Sequence, residues 1–217
     1  MKMMDKANFL EQAKELYKIG DNNIGKAYEV YQKAVNGEEP FCIIGKMDDL
    51  KYCLSVVNPL DPNDVDIYEN GEKSNFIPGN SNHEVHYLNI KSDDWTLLLN
   101  DAWLLGNIEA GKTFYLTKKD GFSSFEDVAA VIKSGNEARP LTVTARELVG
   151  LRCYGYKASL GLDGALIFER EDKSKAPNLE DYNNQRRNFM QKDDYEICKE
   201  SLKALFCSVN WLRENKS

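Results

Sequence analysis

The sequence predicts an α/β fold, a three-layer domain with a mainly parallel sheet over residues 38–217, with a helical hairpin over 1–37 packed on it and a docked C-terminal helix. Three observations predict it. Residues 41–54 (FCIIGKMDDLKYCL) and 87–99 (YLNIKSDDWTLLL) echo each other, each a short apolar run that meets Lys-x-Asp-Asp and opens an apolar-periodic segment. A strand feeding a helix reads this way, and repeating it argues for βα units. Further strand-length apolar runs stand at 113–116 and 165–168, and an amphipathic stripe closes the chain. In such sheets ligands gather where the carboxyl ends of strands meet helix starts.

The elements follow in order. Phe9, Leu10, Ala13, Leu16 and Tyr17 recur at helical spacing, Gly20-Asp21-Asn22 interrupts them, and Ile24, Ala27, Tyr28, Tyr31, Ala34 and Val35 resume the pattern until Gly37. This hairpin is similar in flavour to one tetratricopeptide unit, but it occurs once, and such units need stacked copies to bury their faces. Pro40 precedes strand 41–44 and Gly45 ends it; Leu50, Cys53, Leu54 and Val57 then form a sheet-facing stripe. Residues 58–83, rich in Asn, Asp, Pro, Gly and Ser, suggest a short hairpin of 64–68 with 74–77 around Asn70-Gly71. Strand 85–90 leads into a helix over 93–110 that carries two tryptophans and five leucines, leaving little polar face, so it should be central. Gly111 ends it before strand 113–116. Ser123-x-x-Glu126 and Thr144-x-x-Glu147 have capping-box spacing and mark two more helix starts. Gly161 to Gly164 predicts a turn before strand 165–168, and residues 169–184 read as polar and exposed. Tyr195, Cys198, Leu202, Leu205, Phe206, Val209 and Leu212 make the final helix one that docks.

Composition bounds the function. The chain has 217 residues, enough for one domain with a small appendage. Its five cysteines (Cys42, Cys53, Cys153, Cys198, Cys207) are odd in number and set in apolar runs, which suits reduced core thiols and a cytoplasmic home. MKMMDKANFLEQAKELY lacks the apolar stretch of a signal peptide, and no segment reaches the roughly 20 apolar residues of a membrane span, although export by a specialised secretion system would leave no such mark. Net charge is −7 and uneven: residues 1–110 hold ten lysines and nineteen acids, residues 111–217 eighteen basic and sixteen acidic groups, with every arginine at or beyond Arg139. An acidic front half repels phosphate backbones, which argues against nucleic acid and for a basic protein partner.

Candidate chemistry is sparse. Asp48-Asp49 and Asp93-Asp94 would open two helices, where the helix dipole alone favours acids; if the strands are neighbours, the four carboxylates are a candidate set for Mg²⁺ or a cationic ligand. His83 and His86 lack the helical HExxH arrangement, and scattered cysteines do not complete a zinc site, so no transition metal or other cofactor is expected. Cys42 with either histidine has the residue types of a thiol hydrolase but sits inside a strand, away from the helix-start setting that activates a thiol. Asp101 lies on the apolar stripe Leu97, Leu104, Ile108 of the central helix. It is therefore a perturbed catalytic carboxylate, the partner of an arginine, Arg146 or Arg152, or a residue exposed at an imperfect turn. With Asp101 as the catalytic candidate, the candidate ligand-binding residues are Gly45, Asp48, Asp49, Asp93, Asp94 and Arg146.

NDAWLLGNIEAGKTFYL, residues 100–116, resembles the helix–strand unit of nucleoside 2-deoxyribosyltransferase-like proteins over less than a tenth of the chain. Leu104 stands where that family carries a glutamate two residues before the helix glycine, so its catalytic carboxylate does not carry over. Two functions remain from sequence: an interaction protein with an acidic face, such as an effector or a toxin-neutralising partner, or a small-molecule enzyme acting on a nucleotide or sugar at the carboxyl ends of the strands.

Overall fold

The computed structural model describes residues 4–18, 21–45, 73–76, 83–86, 88, 94–116, 118, 120–161, 164–171, 173–190 and 195–209. Helix α1 (Lys6–Tyr17) begins behind Asp5, whose carboxylate accepts the Asn8 amide at 2.9 Å, satisfying one of the orphan donors of a helix start. Helix α2 (Asp21–Asn36) returns alongside it, and Phe9 packs on Tyr28 and Tyr31 with ring centroids 5.3 and 5.5 Å apart.

The expected central helix is α3 (Leu97–Glu109), in which every residue from Leu98 to Ile108 is buried. It lies along α2. Gly106 permits that approach, since a Cβ there would stand 2.6 Å from the Tyr31 carbonyl oxygen and 2.7 Å from Ala34 Cβ. Strands β1 (Phe41–Ile44) and β4 (Thr113–Leu116) occupy the positions read from sequence, with β2 (Lys73–Phe76) next to β3 (His83–His86) and β3 beside β1. After β4 come α4 (Phe125–Ile132), a hairpin of β5 (Lys133–Asn136) and β6 (Arg139–Leu141), α5 (Val143–Cys153), β7 (Tyr156–Leu160) and β8 (Leu166–Arg170). Helices α6 (Leu179–Met190) and α7 (Tyr195–Leu202), with a 3-10 turn at Lys203–Phe206, end the described chain.

The main sheet is mixed, not mainly parallel. Its described strands run β2-β3-β1-β4-β8-β7, and only β3-β1 and β1-β4 are parallel pairs. The reason is connection length. Parallel strands need a crossover, and α3 carries the chain from β3 past β1 to β4, whereas β7 and β8 are joined by a tight turn in which the Gly161 amide donates to the Ala165 carbonyl at 2.8 Å. That turn forces an antiparallel pair, and β8 carries the same sense against β4. Cys42, Ile44, Phe114, Leu116 and Phe168 point into one core shared with the seven described helices. Ile43 and Tyr115, on the opposite face, are also buried. The third layer is not seen among the described residues, and the helix expected around Leu50, Cys53, Leu54 and Val57 lies outside them.

Other expectations shift for local reasons. The strand at 73–76 pairs with β3; the expected partner at 64–68 lies outside the described residues. Both histidines stand in β3. Helix α3 starts three residues after Asp94, because Thr96 is its cap and accepts the Leu99 amide at 3.2 Å; Asp94 sits exposed in a turn before it. Helix α4 is capped by Ser124 in a capping box with Asp127, one residue beyond the expected pair. Helix α5 is capped by Thr142, which places Thr144 and Glu147 in its buried interior. Residues 169–184 are not uniformly exposed: Arg170, Leu179, Tyr182 and Asn183 are buried. The C-terminal stripe docks as expected through Cys198, Leu202, Leu205, Phe206 and Val209, with Leu212 outside the described residues.

Candidate functional site

The most concentrated polar chemistry lies where α1, α3, α5 and α6 meet. Gly150 on α5 brings these helices together, since a Cβ there would stand 2.6 Å from Leu104 Cδ2 and 3.1 Å from Tyr182 Cε2. One turn earlier on α5, Arg146 reaches Asp101 on α3. Its Nε donates to Oδ1 at 2.6 Å and its second guanidinium nitrogen donates to Oδ2, the fork geometry that suits a carboxylate. The Tyr17 hydroxyl, at the end of α1, also donates to Oδ2. Asn183 Nδ2 donates to the Tyr17 oxygen and to the Leu179 carbonyl, both at 3.0 Å, and the Tyr182 hydroxyl donates to the Arg146 carbonyl at 2.9 Å. The Arg146 guanidinium also lies 5.7 Å from the Tyr182 ring centre.

Burial sets the electrostatics. Asp101 has no exposed surface and Arg146 is 3% exposed. Burial works against the Arg146 charge, but Asp101 overrides it and holds the guanidinium above its ordinary range. Burial and then the Asp101 charge push both the Tyr17 and Tyr182 hydroxyls well up. Next to the pair, Glu147 and Asn100 are buried, and Glu147 Oε2 and Asn100 Nδ2 have no hydrogen-bond partner. Burial pushes the Glu147 carboxyl up to about 8, with the Asn100 amide opposing the rise and Asp101 adding to it.

Of the residues singled out by sequence, the structure brings Asp101 and Arg146 together. Arg152, the other arginine considered, instead donates from Nε to the Ser201 carbonyl at 2.8 Å. Gly45 follows β1 at φ 143°, at the carboxyl edge of the parallel strands. Asp94 is exposed, and Asp48, Asp49 and Asp93 lie outside the described residues. Burial drives the Cys42 thiol far up, away from nucleophilic use. Among the described residues no group of three or more His, Cys, Asp or Glu side chains is placed to hold a metal ion, and no helix is long and apolar enough to cross a membrane. Sequence reasoning missed Tyr17, Asn183 and Tyr182. Tyr17 was legible as an apolar-stripe residue but not as a donor, and the other two sit in a stretch too polar to suggest burial. Glu147 was legible only as a cap. No family model, curated protein or solved structure matches this chain.

Proposed function

We propose that this chain acts as an interaction protein whose acidic region binds a basic protein partner. The observation that carries the reading is charge segregation: the N-terminal hairpin is nearly balanced, whereas residues 38–110 hold fourteen acids against four lysines. A field of one sign steers and orients an oppositely charged partner. The alternative of a catalytic Asp101 is disfavoured, since a general base needs a free lone pair within reach of substrate and three donors already occupy this sealed carboxylate. Poly-L-lysine titrations test the proposal. Asp48, Asp49, Asp93 and Asp94 changed together to Asn should weaken binding at least tenfold, while neutralising Glu11, Glu15, Asp21 and Glu29 should leave it within twofold. Equal losses in the two variants would reject a localised acidic face.

A second reading is favoured by the order β3-β1-β4. The chain leaves β1 to one side to build β3, then crosses through α3 to build β4 on the other. In α/β sheets small molecules bind at such a reversal of direction, outside the carboxyl ends of the strands, which here are those of β1 and β4 next to Gly45. A melting-temperature rise with a nucleotide or sugar, absent from Gly45→Val, would favour this reading.

A further inference from the structure

Glu147 and Asn100 stand on facing helices, each one residue away from a member of the Asp101–Arg146 pair. They are 6% and 3% exposed, and Glu147 Oε2 and Asn100 Nδ2 have no hydrogen-bond partner, neither each other nor any third group. Arg146, the adjacent cation, is committed to Asp101. A bare carboxylate in this place is unfavourable, because the Asn100 amide repays only part of the water it gives up. A carboxylic acid is different. Its carbonyl oxygen can accept from an amide N–H while its O–H donates to the amide oxygen, so neutral Glu and Asn side chains complement each other; the ionised form has no hydrogen to give.

We propose that Glu147 is a proton-operated latch, holding α5 to α3 as a neutral acid opposite Asn100 and loosening that contact when it loses its proton.

The surroundings support a titration set by burial. Among the described residues, α3 presents Asn100 and Asp101 to the carboxyl, and both the burial and the Asp101 charge disfavour ionisation. From α1 and α6, Tyr17, Tyr182 and Asn183 are engaged with Asp101, the Arg146 carbonyl and each other. On α4, Asp127 pairs with Lys118 and Glu126 is exposed; on α7, Glu200 pairs with Lys203, Glu196 is exposed and Lys199 lies over Tyr195. On β7, Lys157 is directed to the Ala204 carbonyl, and Arg152 on α5 itself to Ser201. The carboxyl, raised to about 8, keeps its proton through neutral pH.

The sign follows from linkage. The folded chain binds this proton more tightly than the unfolded chain, so stability falls as pH rises between the unfolded and folded values. Infrared spectra of the wild type are expected to show a carboxylic-acid band at pH 7 that disappears with a midpoint near 8, and Glu147→Gln should lack it. In urea titrations the unfolding constant should rise by up to about tenfold per pH unit across that window. Glu147→Gln should remove the rise. An ionised Glu147 at pH 7, or an unchanged slope in Glu147→Gln, overturns the proposal. Should that variant fail to fold, Glu147→Met and the wild-type infrared titration decide on the same criteria.

Discussion

Two ion pairs among the described residues have both side chains buried, and they are built differently. Asp101 and Arg146 meet through a fork, with Tyr17 added, and join partners 84 and 45 residues from Asp101 in the chain. Glu39 and Lys112 meet at a single contact of 3.8 Å with side chains 2% and 4% exposed, just before the neighbouring strands β1 and β4. There the sheet already holds the chain together, since the Thr113 amide donates to the Pro40 carbonyl at 3.1 Å. The first pair defines which helices meet. The second fills the amino edge of strands that are paired anyway, occupying the space a Cβ at Gly37 would need. The side chains differ too: arginine stays charged in any protein setting, whereas a buried lysine can give up its proton.

That difference can be broken by substitution. Asp101→Asn should have the largest effect, about 3–5 kcal/mol in urea unfolding, because it leaves a guanidinium buried that cannot neutralise itself. A loss below about 1 kcal/mol would mean that Tyr17 and Asn183 hold the junction without the charge.

Glu39→Gln should cost less, about 1–2 kcal/mol at pH 7, since it weakens a contact of 3.8 Å and not a two-bond fork. A cost equal to that of Asp101→Asn would erase the distinction between the pairs.

The smallest effect should come from the half-buried counterpart, Lys118 with Asp127, at 2.7 Å and side chains 28% and 22% exposed. Lys118→Met should change stability by about 0–1 kcal/mol and less in high salt. Asp127 is held below the usual carboxylate range first by the Lys118 hydrogen bond and then by the Ser123 amide. Its contribution is therefore present above that range and lost as pH falls through its lowered value, so Lys118→Met should lose less of its stability in acid than the wild type. An equal acid loss would assign the shift to the helix cap alone.

Local patterns carried much of the fold. Phe9 and Ala13, then Ile24 through Ala34, repeat at helical spacing and are buried in α1 and α2; the Leu98–Ile108 run could only be a central helix. Strands 41–44 and 113–116 were equally readable, because apolar runs of that length bounded by glycine report burial on both sides. Helix starts were less legible. Thr96, Ser124 and Thr142 each competed with a nearby residue of similar capping power, and cap choice depends on where the preceding chain arrives.

What the sequence by itself determined is the set of amphipathic segments, the charge imbalance between its halves and the presence of an acid, Asp101, on an apolar stripe. Tertiary structure alone decided that β8 runs against β4, that Arg146 and not Arg152 answers Asp101, and that Tyr182 and Asn183 are buried from a polar stretch. The physical reason is range. Apolar burial leaves a periodic signature within a few residues, whereas a buried polar group is stable only with partners that the fold brings from far along the chain, such as Asn183 on Tyr17 across 166 residues.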